Sequence, residues 1–190
     1  MKVKLGIHDV ATKQLESAIW MYAYNYDEVA VHTIAGAAFE LYTKRLGQSS
    51  FNKDVKKYLN PDKQKQFFSL WNKYYNYFKH GEHQNKSIET LDYDEEVVEL
   101  LIYYASEGNL SGIEKYRLSC ALLFRYFFIV RHPDLLQEGA YEELIEKPFK
   151  KFNLSLEVAK DKKTLRVWLD TIGHTFLNGT SSPYRDIDKD

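Results

Sequence analysis

The chain has 190 residues, of which 44% are hydrophobic and 15% aromatic, and this is enough apolar material for the core of one domain. Its 26 basic and 27 acidic side chains give a net charge of -1, which provides no overall attraction to nucleic acid or to an anionic membrane. The single cysteine, Cys120, excludes an intramolecular disulfide and suits a reducing, cytoplasmic location.

Two segments bear on targeting and on membrane association. Met1 to Gly6 is too short and too charged for a signal peptide. The longest apolar stretch, Leu118 to Val130, falls short of the roughly 20 residues that a membrane helix needs. We therefore expect no membrane association, and we interpret Leu118 to Val130 as part of a buried core helix.

Apolar residues recur at spacings of three and four along most of the chain, and this period predicts helices. In the first half, helices are expected over about Asp9 to Tyr24, Asp27 to Leu46, Phe51 to Tyr58 and Pro61 to His80. The buried stripe of the first is predicted to be Leu15, Ala18, Ile19, Tyr22 and Ala23. Asp27 suits the N-cap of the second helix. Gly36, which costs about 1 kcal/mol inside that helix, predicts close approach of a neighbouring helix.

In the second half, residues 81–90 are polar and predict a loop. The helices that follow are expected over about Asp94 to Ser106, Gly112 to Arg131, Tyr141 to Phe149 and Thr164 to Leu177. Gly108 and Asn109 would close the first of these helices, and Pro133 would end the second. The chain is thus predicted to be an all-α, single-domain bundle of about seven or eight helices over residues 1–178, with a flexible tail at 179–190.

The end of the fourth helix offers the first candidate site. Asn76 and His80 are four residues apart and share a helix face. The helix dipole favours the protonated form of an imidazole at this end, so His80 could transfer a proton or contact a phosphate. The structural alternative is that His80 caps the last carbonyls while Asn76 bonds to a neighbour.

The second candidate site lies in helix two, where His32, Gly36 and Glu40 follow one another at spacings of four. These residues could border a cavity, or they could form a buried and satisfied polar pair. If His32, Glu40, Asn76 and His80 meet in one cleft, they would suit a small ribonuclease or a metal-dependent enzyme. Whether they converge is the test of that alternative.

Metal and cofactor motifs are missing from the sequence. It contains no Glu-x-x-His or His-Glu-x-x-His pattern, no P-loop and no dinucleotide-binding glycine motif. We therefore predict no metal site and no cofactor.

Arg125 stands out because it interrupts the most hydrophobic predicted helix. An unpaired buried Arg would be very costly, so a carboxylate partner is predicted close to it. Six residues separate Arg125 from His132, which gives the chain an Arg-x6-His pair. A pair with this order and spacing is also expected by chance. Arg125, Tyr75 and Lys79 are the candidate ligand-binding residues.

Two segments carry a resemblance to known proteins. Residues 32–40 and 76–80 resemble segments of a group of uncharacterised small bacterial helical proteins. The spacing of Asn76 and His80 is also similar to part of the HEPN motif, an Arg, often followed by a polar residue, and then a His. Tyr75 stands where the motif has its Arg, and Lys79 is one of the nearby cations.

The HEPN resemblance implies a helical bundle that is often dimeric. Many HEPN domains are metal-independent ribonucleases or belong to toxin–antitoxin and defence systems. Since Tyr75 cannot supply the cation of the motif, the resemblance implies a homodimeric domain that binds a protein or RNA partner without catalysis. A structural or regulatory interaction protein is the remaining alternative.

Overall fold

The computed structural model describes residues 4–45, 60–80, 82–83, 86–87, 90–94, 96–146, 161–173 and 175. Its α-helices are α1 (Ile7–Ala23), α2 (Glu28–Glu40), α3 (Pro61–His80), α4 (Glu96–Leu110), α5 (Ser119–Arg131) and α6 (Lys162–Trp168). Short π-helical turns cover Leu41–Arg45, Glu142–Glu146 and Leu169–Gly173, and 3₁₀ turns cover Glu114–Tyr116 and Pro133–Leu135. A two-residue antiparallel pair, β1 (Glu82–His83) and β2 (Lys86–Ser87), lies in the predicted loop. The predicted all-α single-domain bundle is confirmed.

The first two helices form as their sequence signals indicate. All five residues of the predicted α1 stripe are buried. Asn25 follows α1 with a φ of 56°, a left-handed conformation that Asn tolerates at a helix end. Two residues later the carboxylate of Asp27 accepts a hydrogen bond from the Ala30 amide at 2.9 Å, which confirms the predicted N-cap of α2. The predicted helix at 51–58 lies outside the described residues.

The bounds of α3 agree with the prediction, whereas α4 is longer than predicted. Gly108 and Asn109 do not close α4, which continues to Leu110. Gly108 is needed for packing instead, since an added Cβ would lie 2.8 Å from the Cβ of Tyr42. By contrast, a Cβ at Gly36 would meet Leu101 at an ordinary 3.8 Å, so the close helix approach falls at Gly108.

The α4–α5 connection is held by the buried side chain of Asn109. Its Nδ2 donates to the Tyr116 carbonyl at 2.8 Å and to the Tyr42 hydroxyl at 3.0 Å. Its Oδ1 accepts from the Leu118 amide at 2.8 Å. These bonds hold the residues before Ser119 in a 3₁₀ turn followed by a short extended segment. α5 therefore begins seven residues later than Gly112, where its start was predicted.

Among the described helices, α4 lies at the centre of the bundle, because it contacts α1, α2, α3 and α5. α1 packs on α2, α2 on α4 and α4 on α5, while α1 also contacts α5 and α6. The largest fully buried side chains include Tyr103, Tyr104, Phe124, Phe127 and Phe128. This confirms that the apolar stretch around α5 is core, and among the described residues no helix is both long and apolar enough to cross a bilayer.

The C-terminal part of the described chain closes the bundle. Arg166 Nε of α6 donates to the carbonyl of Ala23 at the end of α1. The Thr175 carbonyl accepts from the Ser119 amide at 3.0 Å. Three stretches lie outside the described ranges. They are residues 147–160, some residues at the end of the helix predicted at 164–177, and the tail predicted at 179–190.

Gly36 and Gly108, which lie inside the described α-helices, give a matched pair of substitutions. Gly108→Ala should lower the free energy of unfolding by about 1–3 kcal/mol, because the new methyl group overpacks the site against Tyr42. Gly36→Ala should leave it unchanged or raise it by up to about 1 kcal/mol, since Ala favours the helix. Urea denaturation of both variants measures the difference, and equal effects would contradict this packing.

Candidate functional site

His32 lies in an aromatic enclosure and not at an open surface. Its side chain is 2% exposed, and the rings of Phe78, Tyr93 and Tyr74 surround it at centroid distances of 5.0, 5.9 and 6.1 Å. Nδ1 lies 3.3 Å from the Tyr93 hydroxyl, and Nε2 has no hydrogen-bond partner among the described residues. Burial lowers the pKa of His32 to about 4, so the imidazole is neutral at physiological pH.

The structure does not bring Asn76 to His32. Tyr74 and Phe78 are four residues apart on α3, and both face His32. Asn76 lies two residues from each of them, so the helical period directs it to the opposite side, where it is exposed. The predicted single site therefore lacks the pairing of these two residues.

The other predicted site residues are less fully defined. Glu40 lies two turns beyond His32 on α2 and is half-buried, and it has an interaction partner. Tyr75, Lys79 and His80 belong to α3, but their side chains lie outside the described part of the structure. Their roles stay predictions.

Arg125 has the carboxylate partner that the sequence predicts. Its Nε lies 3.0 Å from Glu107 Oε1, and the side chains are 22% and 8% exposed, respectively. This ion pair joins α5 to α4. The guanidinium is thus engaged within the bundle, which confirms the interpretation of Arg125 as a paired, partly buried cation.

A second buried carboxylate, which the sequence interpretation missed, organises a larger polar group. We call Tyr22, Glu99, Arg131 and His132 the Glu99 cluster. Oε1 of Glu99 accepts from the Tyr22 hydroxyl and from Arg131 Nη2 at 3.1 Å. Oε2 accepts from Arg131 Nε at 3.2 Å and lies 2.7 Å from His132 Nε2. The carboxylate therefore has partners from α1 and from the end of α5.

Electrostatics keep Glu99 ionised. Burial alone would raise the pKa of this carboxyl, because a charge is poorly solvated in the core. The hydrogen bonds from His132 and Tyr22, together with the positive charge of Arg131, outweigh burial and hold the pKa of Glu99 below its usual value. Glu99 thus carries a negative charge at neutral pH, balanced by Arg131.

The Glu99 cluster borders a cleft of about 630 Å³, which we call the α3–α4 cleft. The cleft lies between α3, the start of α4 and the end of α5 with the turn that follows it. Its apolar lining includes Leu70, Val97, Leu100, Phe128 and Leu135. Its exposed rim consists of Lys63, Asp94, Glu96 and Asp134, and Arg131 and His132 complete the wall.

One sequence signal could have indicated the Glu99 cluster. Glu99 and Glu107 both interrupt the apolar helix α4, just as Arg125 interrupts α5, and a charge in such a helix needs a partner. Antiparallel packing of consecutive helices then brings the start of α4 to the end of α5.

Among the described residues, no group of three or more His, Cys, Asp or Glu side chains is placed to hold a metal ion.

Comparison of the chain with known protein families, curated proteins and solved structures finds no match. The HEPN resemblance therefore rests on the spacing of Asn76 and His80 alone, and the resemblance to small bacterial helical proteins rests on residues 32–40 and 76–80 alone. The α3–α4 cleft and the Glu99 cluster are defined by the geometry of this chain.

The aromatic enclosure of His32 predicts a pH-dependent stability. The unfolded His32 takes up a proton near its ordinary pKa of 6.5, whereas the folded one does so only near pH 4. The contribution of the neutral His32 to the free energy of unfolding is therefore fully present above about pH 6.5. It is lost as the pH drops toward 4, which lowers the free energy of unfolding by up to about 3 kcal/mol. Urea denaturation over this range should show a smaller loss for His32→Phe than for the wild type.

His8→Phe is the matched control, because His8 is only half-buried. It should keep more of the wild-type pH dependence than His32→Phe does. If His32→Phe loses stability with falling pH as steeply as the wild type, the neutral, buried state of His32 is refuted.

Proposed function

We propose that this chain is a HEPN-like helical domain that binds a partner protein in the α3–α4 cleft and does not catalyse a reaction. The observation that carries the proposal is the cleft itself, in which an apolar lining is surrounded by an exposed charged rim. Protein interfaces have the same arrangement, with an apolar centre and a polar, solvent-accessible edge. The HEPN-like character rests on the motif resemblance.

The proposal that the domain does not catalyse a reaction is supported by the pairing of two of its arginines, Arg125 and Arg131. A ribonuclease needs a cation free to stabilise developing phosphate charge. Arg131 makes two hydrogen bonds to Glu99, and Arg125 pairs with Glu107. The alternative ribonuclease or metal enzyme at His32, Glu40, Asn76 and His80 has less support. His32 of α2 packs against the side of α3 that carries Tyr74 and Phe78, whereas Asn76 lies on the opposite side of α3.

A protein partner fits the cleft better than RNA does. Lys63 lies 3.9 Å from Asp134, and Arg131 is balanced by Glu99, so these cations are largely compensated. Asp94 and Glu96 add negative charge at the rim. RNA binding requires a basic surface that contacts the phosphates, which this rim does not provide.

The cytoplasmic location and the homodimer expected from the sequence are further parts of this proposal. Light scattering on the purified protein measures its molar mass in solution and so tests the homodimer directly. A monomer at all concentrations would remove the homodimer and leave the cleft proposal in place.

Selection of short random peptides on the immobilised protein tests the binding site. Peptides enriched on the wild type should lose affinity by about tenfold or more on Leu135→Asp, which places a charge in the apolar lining. Ile113→Asp is the matched control, because Ile113 is 49% exposed and does not line the cleft. It should bind as the wild type does, and circular dichroism should show both variants folded.

Two results would overturn the proposal. The first is that every enriched peptide binds folded Leu135→Asp as tightly as the wild type. The second is that single-stranded RNA binds or is cleaved, with the effect lost in His80→Ala.

A further inference from the structure

The charges around the α3–α4 cleft are unevenly compensated. Lys63 is paired with Asp134, and Arg131 is paired with Glu99. Asp94 and Glu96 are exposed, and neither has an ion-pair partner among the described residues. Among the described residues that line the cleft, these two carboxylates are the charges without an ion-pair partner, and they add negative charge at its mouth.

The backbone holds this acidic corner in place. The Asp94 amide donates to the Tyr74 hydroxyl at 3.1 Å, which ties the corner to α3. Asp94 Oδ1 accepts from the Glu96 amide at 3.0 Å, so Asp94 also caps the start of α4. A carboxylate can accept several hydrogen bonds, so the cap leaves Asp94 able to bind a cation as well.

The acidic corner adjoins the apolar lining along α4. Glu96 and Leu100 are four residues apart on this helix, so they lie on one face, and both line the cleft. Leu70 of α3 and Leu135 of the turn after α5 contribute the remaining apolar surface. A ligand that fills the cleft therefore meets a hydrophobic surface and two carboxylates side by side.

We propose that the partner of this cleft is a protein segment that presents a Lys or Arg next to an apolar side chain. The cation lies between Asp94 and Glu96, and the apolar side chain covers Leu100 and Leu135. This inference rests on the proposed function, because it names the partner of the same cleft. An acidic segment is disfavoured, because its charge would face the two carboxylates and find the cleft cations already paired.

The peptides enriched on the wild-type protein test this partner chemistry. They should carry a Lys or Arg beside a Leu, Ile, Val or aromatic residue, and changing that basic residue to Glu should weaken binding about tenfold. Isothermal titration should show weaker binding as salt is added, because the ion pairs at the rim are exposed.

Charge reversal on the protein gives the complementary measurement. Glu96→Lys should weaken the basic peptide about tenfold and Glu96→Gln by less, while Glu114→Lys should have no effect. Glu114 is the matched control, since it is an exposed acid in the turn that precedes α5, outside the cleft. Thermal unfolding of each variant separates loss of binding from loss of fold.

The failure of this inference can be told apart from failure of the proposed function. Peptides that depend on Leu135 but lack a basic residue, or that bind Glu96→Lys as tightly as the wild type, overturn the partner chemistry alone. If every enriched peptide binds folded Leu135→Asp as tightly as the wild type, both proposals are overturned.

Discussion

The carboxylate of Glu99 is a buried charge that the bundle must compensate, and its compensation fixes the positions of three helices. Burying an ionised group costs several kcal/mol unless charged and hydrogen-bonding partners surround it. Tyr22 of α1, Arg131 at the end of α5 and the adjoining His132 supply those partners to a residue near the start of α4. A shift of any one of these helices would leave part of the carboxylate unsatisfied.

The α3–α4 cleft depends on the same interaction. Arg131 and His132 form part of its wall, and the Pro133–Leu135 turn follows them directly. The Leu135 carbonyl accepts from the Asn60 amide at 3.0 Å, so the start of α3 is attached to this turn. The buried Glu99 carboxylate thereby fixes the position of the cleft wall, against which we propose that a partner binds.

Periodic segments were predictable from the sequence, and long-range polar pairs were not. The bounds of α3 and the buried stripe of α1 followed from apolar spacing and terminal signals. Gly108 does not end a helix as predicted, because a glycine that makes room for Tyr42 looks the same in sequence as one that ends a helix. The partners of Glu99 are 32, 33 and 77 residues away along the chain, and no local sequence pattern indicates pairs that are so far apart. The pairing of Arg125 was predictable in kind, since a charge in an apolar helix requires a counter-charge.

The free energy of unfolding of Glu99→Gln, measured against pH, tests the role of this carboxylate most directly. Because the pKa of Glu99 is lowered in the folded state, its contribution is complete above the ordinary carboxyl pKa and is lost as the pH falls through the folded value. Glu99→Gln should therefore be less stable than the wild type by about 3 kcal/mol at neutral pH, and the gap should close in acid. Glu114→Gln, an exposed control, should show no gap. Equal stability of Glu99→Gln and the wild type at neutral pH would contradict the account.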